Sequence, residues 1–280
     1  MEPGRASQTA VMVCSGRAIG HVRAPTSRFS DPTALPLLPE NVRRDIGRWL
    51  AGEEPKGLRG WFVNAFMRRQ SMLMVARTVA VDDAIRDAGS SQVVVLGAGL
   101  DGRAWRMPEL SDATVFEVDH PDSQRDKRSR SDALRPVARE IRFVSVDFAR
   151  DSLDHALAVA GHDPTRPTTW VWEGVVMYLT REQIEATLAV VARRSAKTSC
   201  LVVVYHSPAP ILFILNAVVR RMGEPLRSSQ TEKEMRRLLA IHGFEVERDE
   251  SLQAIGVRVS PELARHVKGM THMRVAVARR

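Results

Sequence analysis

The stretch Gln92-Val93-Val94-Val95-Leu96-Gly97-Ala98-Gly99-Leu100-Asp101-Gly102-Arg103 carries the strongest structural signal in this chain. Its first part is apolar, as in a buried strand, and glycines follow at positions 97, 99 and 102. Glycine lets the backbone turn sharply and approach a ligand where a side chain would clash. The stretch therefore predicts a buried strand, a glycine turn and the start of a helix.

A second strand with an acidic residue at its end follows the glycine turn. Residues 113–119, ATVFEVD, form a mostly apolar run that closes on Asp119. A carboxylate at this position can accept hydrogen bonds from both hydroxyls of a ribose. The two segments together indicate the first half of a nucleotide-binding α/β unit. Both a nicotinamide dinucleotide and S-adenosylmethionine (SAM) fit that description.

The size and composition of the chain favour one large α/β domain with additions. The chain has 280 residues, of which 44% are hydrophobic, and this is enough to bury a full core. No apolar run approaches the ~20 residues that span a bilayer, and the N-terminal stretch lacks the apolar core of a secretory signal. We therefore expect a cytoplasmic protein without a membrane partner. Cys14 and Cys200 are too few for a zinc cluster, and we expect no disulfide between them.

The chain is basic, with a formal net charge of +8. The charge comes almost entirely from arginines that are scattered along the sequence rather than gathered in one stripe with aromatic residues. A scattered distribution is not typical of a nucleic-acid interface, so we expect no nucleic-acid partner. A positive field can still steer a small acidic substrate toward its site.

Helical patterns dominate the N-terminal part of the chain. Apolar residues recur at helical spacing from Ser7 to Ile19, and further helices are predicted over Glu40–Leu50, Gly60–Met67 and Met72–Ala88. We interpret residues 1–90 as an N-terminal helical cap. Residues 91–280 are then expected to form the ligand-binding domain, with an apolar helical insert at about 207–230 that helps to cap a substrate pocket.

Strands alternate with helices from residue 92 onward. Five apolar runs are typical of a parallel sheet covered on both faces: QVVVLG, ATVFEVD, IRFVSVDF, TTWVWEG and SCLVVVYH. GFEVERDES and the segment Met273–Ala278 predict two more strands, and the capping pattern that begins at Thr231 predicts a helix before them. The predicted fold class is α/β, with a doubly wound, mostly parallel seven-stranded sheet.

Acidic residues at two further strand ends bear on the choice of ligand. Asp147 ends the third strand and Glu173 ends the fourth. Ligands of doubly wound sheets bind outside the carboxyl ends of the strands, so these residues should border one crevice with the glycine turn and Asp119. Such a crevice suits a ligand that carries a ribose, an adenine amine and a cationic methionine group but no phosphate. Either Asp147 or Glu173 could instead cap the helix that follows its strand.

Several long motifs resemble one known family. LGAGLDGRAWRM, FEVDHPDSQRDKR, VDFARDSL and TTWVWEGVVMYLT are similar to the leucine carboxyl methyltransferase family of class I SAM-dependent methyltransferases, and in particular to its bacterial branch of candidate O-methyltransferases. The resemblance covers most of residues 5–280. Gly102 departs from the family pattern, which often has threonine after the aspartate, and it thereby imitates the dinucleotide motif G-x-G-x-x-G.

The resemblance implies a cofactor and a set of residues that bind it. Gly97, Ala98 and Gly99 would form the turn under the methionine part of SAM, and Asp119 would hold the ribose hydroxyls. Asp147 and Phe148 would flank the adenine. Arg77, with Arg17 as a second candidate, would pair with the SAM carboxylate, although either could be an ordinary charge on a helix surface.

The chemistry implied by the resemblance is attack of a substrate oxygen on the methyl group of SAM. A carboxylate is already ionised at neutral pH, whereas a phenol or alcohol profits from a general base. His206, which follows the fifth apolar run, is the best candidate for such a base. Tyr178 could orient a substrate oxygen and Arg227 could bind a substrate anion, but each could equally be structural.

Three functions remain open from the sequence. The preferred one is O-methylation of a carboxylate or acidic hydroxyl on a small organic or natural-product substrate. An NAD-dependent oxidoreductase is the first alternative, although no matching catalytic set of lysine, tyrosine or histidine is evident. The second alternative is a protein that binds SAM for a reaction other than methyl transfer.

Overall fold

The computed structural model describes residues 7–53, 56–148, 150–221 and 225–280. Helices fill its N-terminal part, where α1 (Gln8–Arg23), α2 (Ala34–Leu37), α3 (Glu40–Leu50) and α4 (Gly57–Ala88) follow one another. Ser7 caps α1, because its side chain accepts a hydrogen bond from the backbone of Ala10. The predicted bounds of α3 are confirmed.

One long helix replaces two that the sequence pattern predicted separately. The segments Gly60–Met67 and Met72–Ala88 both lie within α4, which has 32 residues. The four residues between the segments, Arg68-Arg69-Gln70-Ser71, contain neither glycine nor proline, so nothing interrupts the backbone hydrogen bonds. The helix ends at Gly89, whose φ of 57° is the left-handed cap that glycine adopts at little cost.

Seven strands form one mixed sheet in the order β3-β2-β1-β4-β5-β7-β6. Their bounds are β1 (Gln92–Leu96), β2 (Thr114–Asp119), β3 (Glu140–Ser145), β4 (Thr168–Trp172), β5 (Cys200–His206), β6 (Glu245–Ser251) and β7 (Met273–Arg279). Strands β1 to β5 are parallel, and β7 runs antiparallel between β5 and β6. The predicted fold class is confirmed.

Helices between the strands complete the two outer layers. They are α5 (Arg103–Arg106), α6 (Pro121–Ser131), α7 (Leu153–Val159), α8 (Arg181–Arg193), α9 (Ile211–Arg221), α10 (Glu232–Ile241), α11 (Leu252–Val259) and α12 (Pro261–His266). Short 3₁₀ helices cover Pro108–Leu110 and Val176–Tyr178. Thr231 and Glu234 form the predicted capping box at the start of α10. Within the described ranges, no helix combines the length and apolar character needed to cross a bilayer.

The alternation of side chains along the strands builds a core on each face of the sheet. Val93 and Val95 of β1 belong to one core, which also includes Val75 and Val79 of α4. Val94 of β1 faces the other core, on the side of α8. A third cluster joins α1, α2 and α3 to the loop after the glycine turn; its members include Cys14, Ile19, Leu37, Trp49 and Leu100. The N-terminal helices are thereby fixed over one end of the sheet.

Candidate functional site

A cavity of about 340 Å³ lies at the carboxyl ends of the central strands. The register of the sheet explains its position, because Leu96 of β1 pairs with Val118 on one side and Trp172 on the other. The residues that follow these three are Gly97, Asp119 and Glu173, and all of them line the cavity. The other lining residues come from α1, α4, the glycine turn, the loop after β4 and the segment after α9: Ser7, Thr9, Ala10, Val13, Arg17, Arg77, Val95, Ala98, Gly99, Leu100, Asp101, Ser123, Gly174, Val175, Met177, Tyr178, Pro225 and Arg227.

At two positions of the turn, the backbone conformation and the nearness of neighbouring atoms require glycine. Gly97 and Gly99 have φ angles of 70° and 47°. A Cβ atom on Gly97 would lie 2.2 Å from the side chain of Val175, and one on Gly99 would lie 3.2 Å from the Cβ of Ala10. The backbone amides of Gly97 and its neighbour Ala98 both donate to the carbonyl of Val118. The turn is therefore narrow, held by β2 and covered by α1 and the loop after β4.

Gly102 has a different role from the other two glycines. A Cβ atom built on it would lie 1.9 Å from Oγ1 of Thr33, in the loop between α1 and α2. Its φ of −114° is open to any residue, so the need for glycine here is steric. Gly102 therefore serves the packing of the N-terminal segment, and its presence does not indicate a dinucleotide site.

Asp119 fastens the glycine turn and lies in the cavity wall. Its Oδ2 accepts from the amide of Gly99 at 2.5 Å, and its Oδ1 accepts from the amide of His120 at 2.6 Å. Burial raises the pKa of the Asp119 carboxyl, although both amide donors act in the opposite direction. Each carboxylate oxygen has two lone pairs, so Asp119 retains an acceptor site on each oxygen for a ligand hydroxyl.

A buried ion pair links Arg77 of α4 to Glu173. The Nε atom of Arg77 lies 2.7 Å from Oε1 of Glu173, and Oε2 of Glu173 lies 2.8 Å from Nη1 of Arg103. Burial alone would raise the pKa of Glu173, but Arg103 and Arg77 hold it below its usual value. Burial lowers the pKa of Arg77 and outweighs the effect of its partner. Glu173 reaches the cavity together with Arg77 and holds that guanidinium at the cavity wall.

This ion pair belongs to a larger buried charge cluster beneath the cavity. Four arginines meet four carboxylates in it, so its formal charges balance: Arg17, Arg77, Arg103 and Arg106 with Asp31, Asp82, Asp101 and Glu173. Arg17, the second arginine candidate, lines the cavity, pairs with Asp31 at 3.2 Å and donates to the carbonyl of Leu100. The cluster ties α1, α4, α5 and the end of β4 together.

Asp101 is a site residue to which the sequence analysis assigned no role. It accepts from the backbone amide of Arg103 and pairs with that side chain. Burial would raise the pKa of Asp101, but Arg103 and Arg17 together lower it well below its usual range. The position of Asp101 directly after the glycine turn was the available signal in the sequence. Its electrostatic partner Arg17 lies far away in the sequence, so this interaction could not be identified from the sequence.

Tyr178 and Arg227 also line the cavity. Tyr178 closes the 3₁₀ helix after β4, and its Oη lies 3.4 Å from Oγ1 of Thr9 on α1. The backbone amide of Arg227 donates to the carbonyl of Met177, which fixes the segment after α9 against that helix. Both predicted substrate-side residues thus share one cavity with six of the predicted cofactor residues: Arg77, Gly97, Ala98, Gly99, Asp119 and Glu173.

Two predicted adenine-side residues lie apart from this cavity. Asp147 and Phe148 follow β3, whose Ser145 pairs with Asp119, so they lie beyond the edge of β2. Neither is among the described residues that line the cavity, and the side chain of Phe148 is 39% exposed. The backbone amide of Asp147 donates a hydrogen bond to Oδ2 of Asp151 in the following turn. The structure does not bring this pair to the site.

The predicted base, His206, also lies outside the cavity lining. It is the last residue of β5 rather than a loop residue after it, and its side chain is buried. Its ring lies 5.6 Å from that of His272. Burial, with smaller contributions from His272 and Arg77, lowers the pKa of His206 to about 3. The structure therefore does not place His206 among the residues that line the cavity, and its role as a base stays a prediction.

The residues around the cavity fit SAM. The glycine turn offers a close approach to the backbone, Asp119 offers two acceptor sites to ribose hydroxyls, and Arg77 and Arg17 offer guanidinium groups to a carboxylate. The described part of the chain contains no group of three or more histidine, cysteine, aspartate or glutamate side chains placed to hold a metal ion.

Comparison with known proteins agrees with this fit. The family model described as leucine carboxyl methyltransferase matches residues 10–192. A protein of Mycolicibacterium gilvum, named as a candidate S-adenosyl-L-methionine-dependent methyltransferase, is 36% identical over 234 residues, which cover 81% of this chain and 74% of that protein. A similarly named protein of Mycobacterium avium is 38% identical over 205 residues, covering 69% of this chain and 64% of that protein.

Solved structures show the same fold at lower sequence identity. A DUF574 family protein of Streptomyces avermitilis superposes with a TM-score of 0.58 at 17% identity, covering 99% of this chain and 98% of that one. A protein of Thermobifida fusca, described as a candidate methyltransferase, gives a TM-score of 0.56 at 17% identity, covering 100% and 96%. The chain therefore belongs to the leucine carboxyl methyltransferase family, and it is a methyltransferase whose cofactor is SAM.

Proposed function

We propose that the protein methylates an oxygen atom of a small organic acid, with a carboxylate as the nucleophile. One observation carries the proposal: the cavity presents Arg227 and Tyr178 to an acceptor but, among its described lining residues, no histidine. A carboxylate has a pKa near 4 and is ionised at neutral pH, so it needs no base. A phenol or alcohol would profit from one.

The charges around the cavity support an anionic acceptor. The buried cluster that includes Arg77 and Arg17 is already balanced by carboxylates, and the cofactor carboxylate is expected to bind there. Arg227 also lines the cavity, and it forms no ion pair with any described residue. A guanidinium can bind both oxygens of a carboxylate, which would hold one of them in a fixed direction.

The protein side chains have three tasks in the reaction. When bound, SAM supplies the methyl group as an electrophile. Arg227 binds the acceptor carboxylate, and the Tyr178 hydroxyl donates a hydrogen bond that orients one of its oxygens. Helix α1 covers the cavity through Thr9, Ala10 and Val13 and excludes water from it.

The remaining wall suits the organic part of such an acid. Val13, Val175, Met177 and Pro225 present apolar surface to the cavity. The volume of about 340 Å³ is shared between cofactor and acceptor, which favours a small acceptor or one that extends out of the opening. Small acids of natural-product pathways have this combination of a carboxylate and a compact apolar body.

The product identifies the nucleophile directly. Purified protein is incubated with SAM labelled in its methyl group and with a panel of carboxylic acids, phenols and amines. A methyl ester releases labelled methanol in mild alkali, whereas methyl ethers and methylamines do not. We expect the label to be released from the products of the acids. Stable products from phenols or amines, with no turnover of any acid in an extended panel, would contradict a carboxylate nucleophile.

Arg227→Met tests the predicted contact with the acceptor. We expect KM for the acid to rise at least tenfold, because the charge-assisted contact is lost, while binding of S-adenosylhomocysteine stays within about twofold. Arg220→Met is the matched control, since this arginine on α9 is exposed and is not in the cavity lining. Equal KM values in Arg227→Met and wild type would exclude the proposed role of Arg227.

A further inference from the structure

Helix α4 projects beyond the sheet at the edge where the cavity lies. Its 32 residues span about 48 Å, whereas the five residues of β1 span about 17 Å. Most residues of α4 from Met72 to Ile85 are buried, and the chain then enters β1 at its amino end. The first half, residues 57–69, therefore extends past the carboxyl ends of the strands.

The projecting half of α4 exposes an aromatic and aliphatic face. Leu58, Trp61, Phe62 and Phe66 are each at least 60% exposed, and Trp61 and Phe62 pack edge to face with ring centroids 4.8 Å apart. On the opposite side Gly60 is buried, and Oδ1 of Asn64 accepts a hydrogen bond from Nε1 of Trp49 on α3. Four large apolar residues on one exposed helix face are more than the scattered apolar residues of an ordinary surface.

Cations and no carboxylates accompany this apolar face. Residues 56–81 contain no aspartate or glutamate. Lys56, Arg59, Arg68 and Arg69 are exposed beside the apolar residues. An exposed apolar face with aromatic residues and a border of lysine and arginine is the pattern of helices that lie in the interface of an anionic bilayer.

Helix α9 begins at the same edge of the sheet. It follows the carboxyl end of β5, which is parallel to β1, and exposes Ile211, Phe213 and Arg220. Two separate helices at the cavity edge thus present apolar and cationic side chains to the surroundings.

We propose that residues 57–69 of α4, together with the start of α9, dock on the surface of an anionic lipid bilayer. A second copy of the chain is less well matched, since symmetric pairing of this face would bring the same cations together without a carboxylate from α4 to neutralise them. Docking would turn the open edge of the cavity toward the bilayer. The sequence analysis predicted no membrane partner, because no apolar run is long enough to span a bilayer. Composition does not show which apolar side chains remain exposed on the folded protein.

Tryptophan fluorescence gives a direct readout of docking. Trp61 is 62% exposed, whereas Trp49, Trp105, Trp170 and Trp172 are buried. The full-length protein is titrated with vesicles of phosphatidylcholine containing phosphatidylglycerol and, separately, with vesicles of phosphatidylcholine alone. On the anionic vesicles we expect a blue shift of the emission, quenching by brominated acyl chains and co-sedimentation. All three should weaken in high salt.

Paired substitutions separate the apolar and the electrostatic contributions. Trp61→Ser with Phe66→Ser should weaken vesicle binding, measured by co-sedimentation, at least tenfold. Arg59→Gln with Arg69→Gln should weaken it about thirtyfold. Lys233→Gln with Arg237→Gln on α10 removes the same charge elsewhere and should change binding less than threefold.

Three results would overturn the proposal. The first is the absence of binding to anionic vesicles by a folded wild-type protein. The second is binding that the α10 control pair weakens as much as the α4 pair does, which would indicate a non-specific charge effect. The third is a dimer in light scattering that dissociates in the Trp61→Ser and Phe66→Ser variant, since this face would then cover a second copy. The arginine variants keep the test valid if the apolar variants fail to fold.

Discussion

Replacement of Glu173 by glutamine tests whether the buried charge cluster supports the fold. Glutamine has the same shape as glutamate but carries no charge. Its NH₂ group would replace one of the two carboxylate oxygens that now contact the guanidinium groups of Arg77 and Arg103. Arg103 keeps Asp82 and Asp101 as partners, so the main loss falls on Arg77. Breaking a buried ion pair costs about 3–5 kcal/mol, and we expect the lower end of that range, about 3 kcal/mol.

Urea denaturation at pH 7 measures this loss. With a slope of about 2–3 kcal/mol per molar, the midpoint should fall by about 1 M. The melting temperature should fall by roughly 5–10 °C. Glu185→Gln is the matched control, because Glu185 forms an exposed pair with Arg181 on α8 and should change the free energy of unfolding by less than about 1 kcal/mol.

The pH dependence of the difference gives a second, independent check. The pKa of Glu173 in the folded protein is lowered, so its contribution is fully present above the unfolded pKa of about 4.3 and is lost as the pH falls through the folded value. The difference in free energy of unfolding between wild type and Glu173→Gln should therefore be constant from pH 5 to 7 and become smaller below about pH 4. A difference under about 0.5 kcal/mol at pH 7, or a difference that stays the same at acid pH, would show that the charge of Glu173 does not stabilise the fold.

Three further predictions concern the cofactor turn, its packing and the buried histidine. Asp119→Ala should weaken S-adenosylhomocysteine binding, measured by calorimetry, by about 100-fold or more, because two charge-assisted hydrogen bonds are lost. Asp147→Ala should weaken the same binding less than tenfold. Equal effects of the two substitutions would show that Asp119 does not bind the ribose. Gly102→Ala should destabilise the protein by about 1–3 kcal/mol in urea, and Thr33→Gly in the same chain should recover at least half of that loss; additive effects would show that the two residues do not clash. His206→Ala should lower stability by about 2 kcal/mol. It should leave kcat within about threefold, because His206 does not line the cavity, and flat from pH 6 to 9, because a carboxylate acceptor with a pKa near 4 is ionised throughout; a fall of about 10²-fold would assign His206 the role of a base.

Local patterns were sufficient to predict most secondary-structure elements. The strand pattern of residues 92–96 and the helix bounds of Glu40–Leu50 agree with the structure, since apolar periodicity and breakers act over a few residues. The insertion of β7 between β5 and β6 could not be predicted in this way, because strand order depends on pairing between distant segments. Helix α11, which begins at Leu252 directly after the predicted sixth strand, was also missed.

The site was predictable where the sheet register determines position. Gly97, Asp119 and Glu173 follow aligned strand residues, and they converge as expected. Asp147 lies two residues beyond the aligned position of Ser145, and His206 is the last residue of its strand, and neither lines the cavity. The partners of Arg17 and Arg77 depend on packing between α1, α4 and the sheet, which no local pattern contains.

The contact between Gly102 and Thr33 constrains how this protein can be recombined with its relatives. The cofactor loop and the segment after α1 are far apart in sequence, yet a hydroxyl of one occupies the volume that a side chain of the other would need. In a chimera that receives a loop with threonine at position 102 from another family member, the side chain of that threonine would therefore clash with the hydroxyl of Thr33. Exchange of the loop requires exchange of the segment around Thr33 as well, so the smallest transferable module of this cofactor site is discontinuous in sequence.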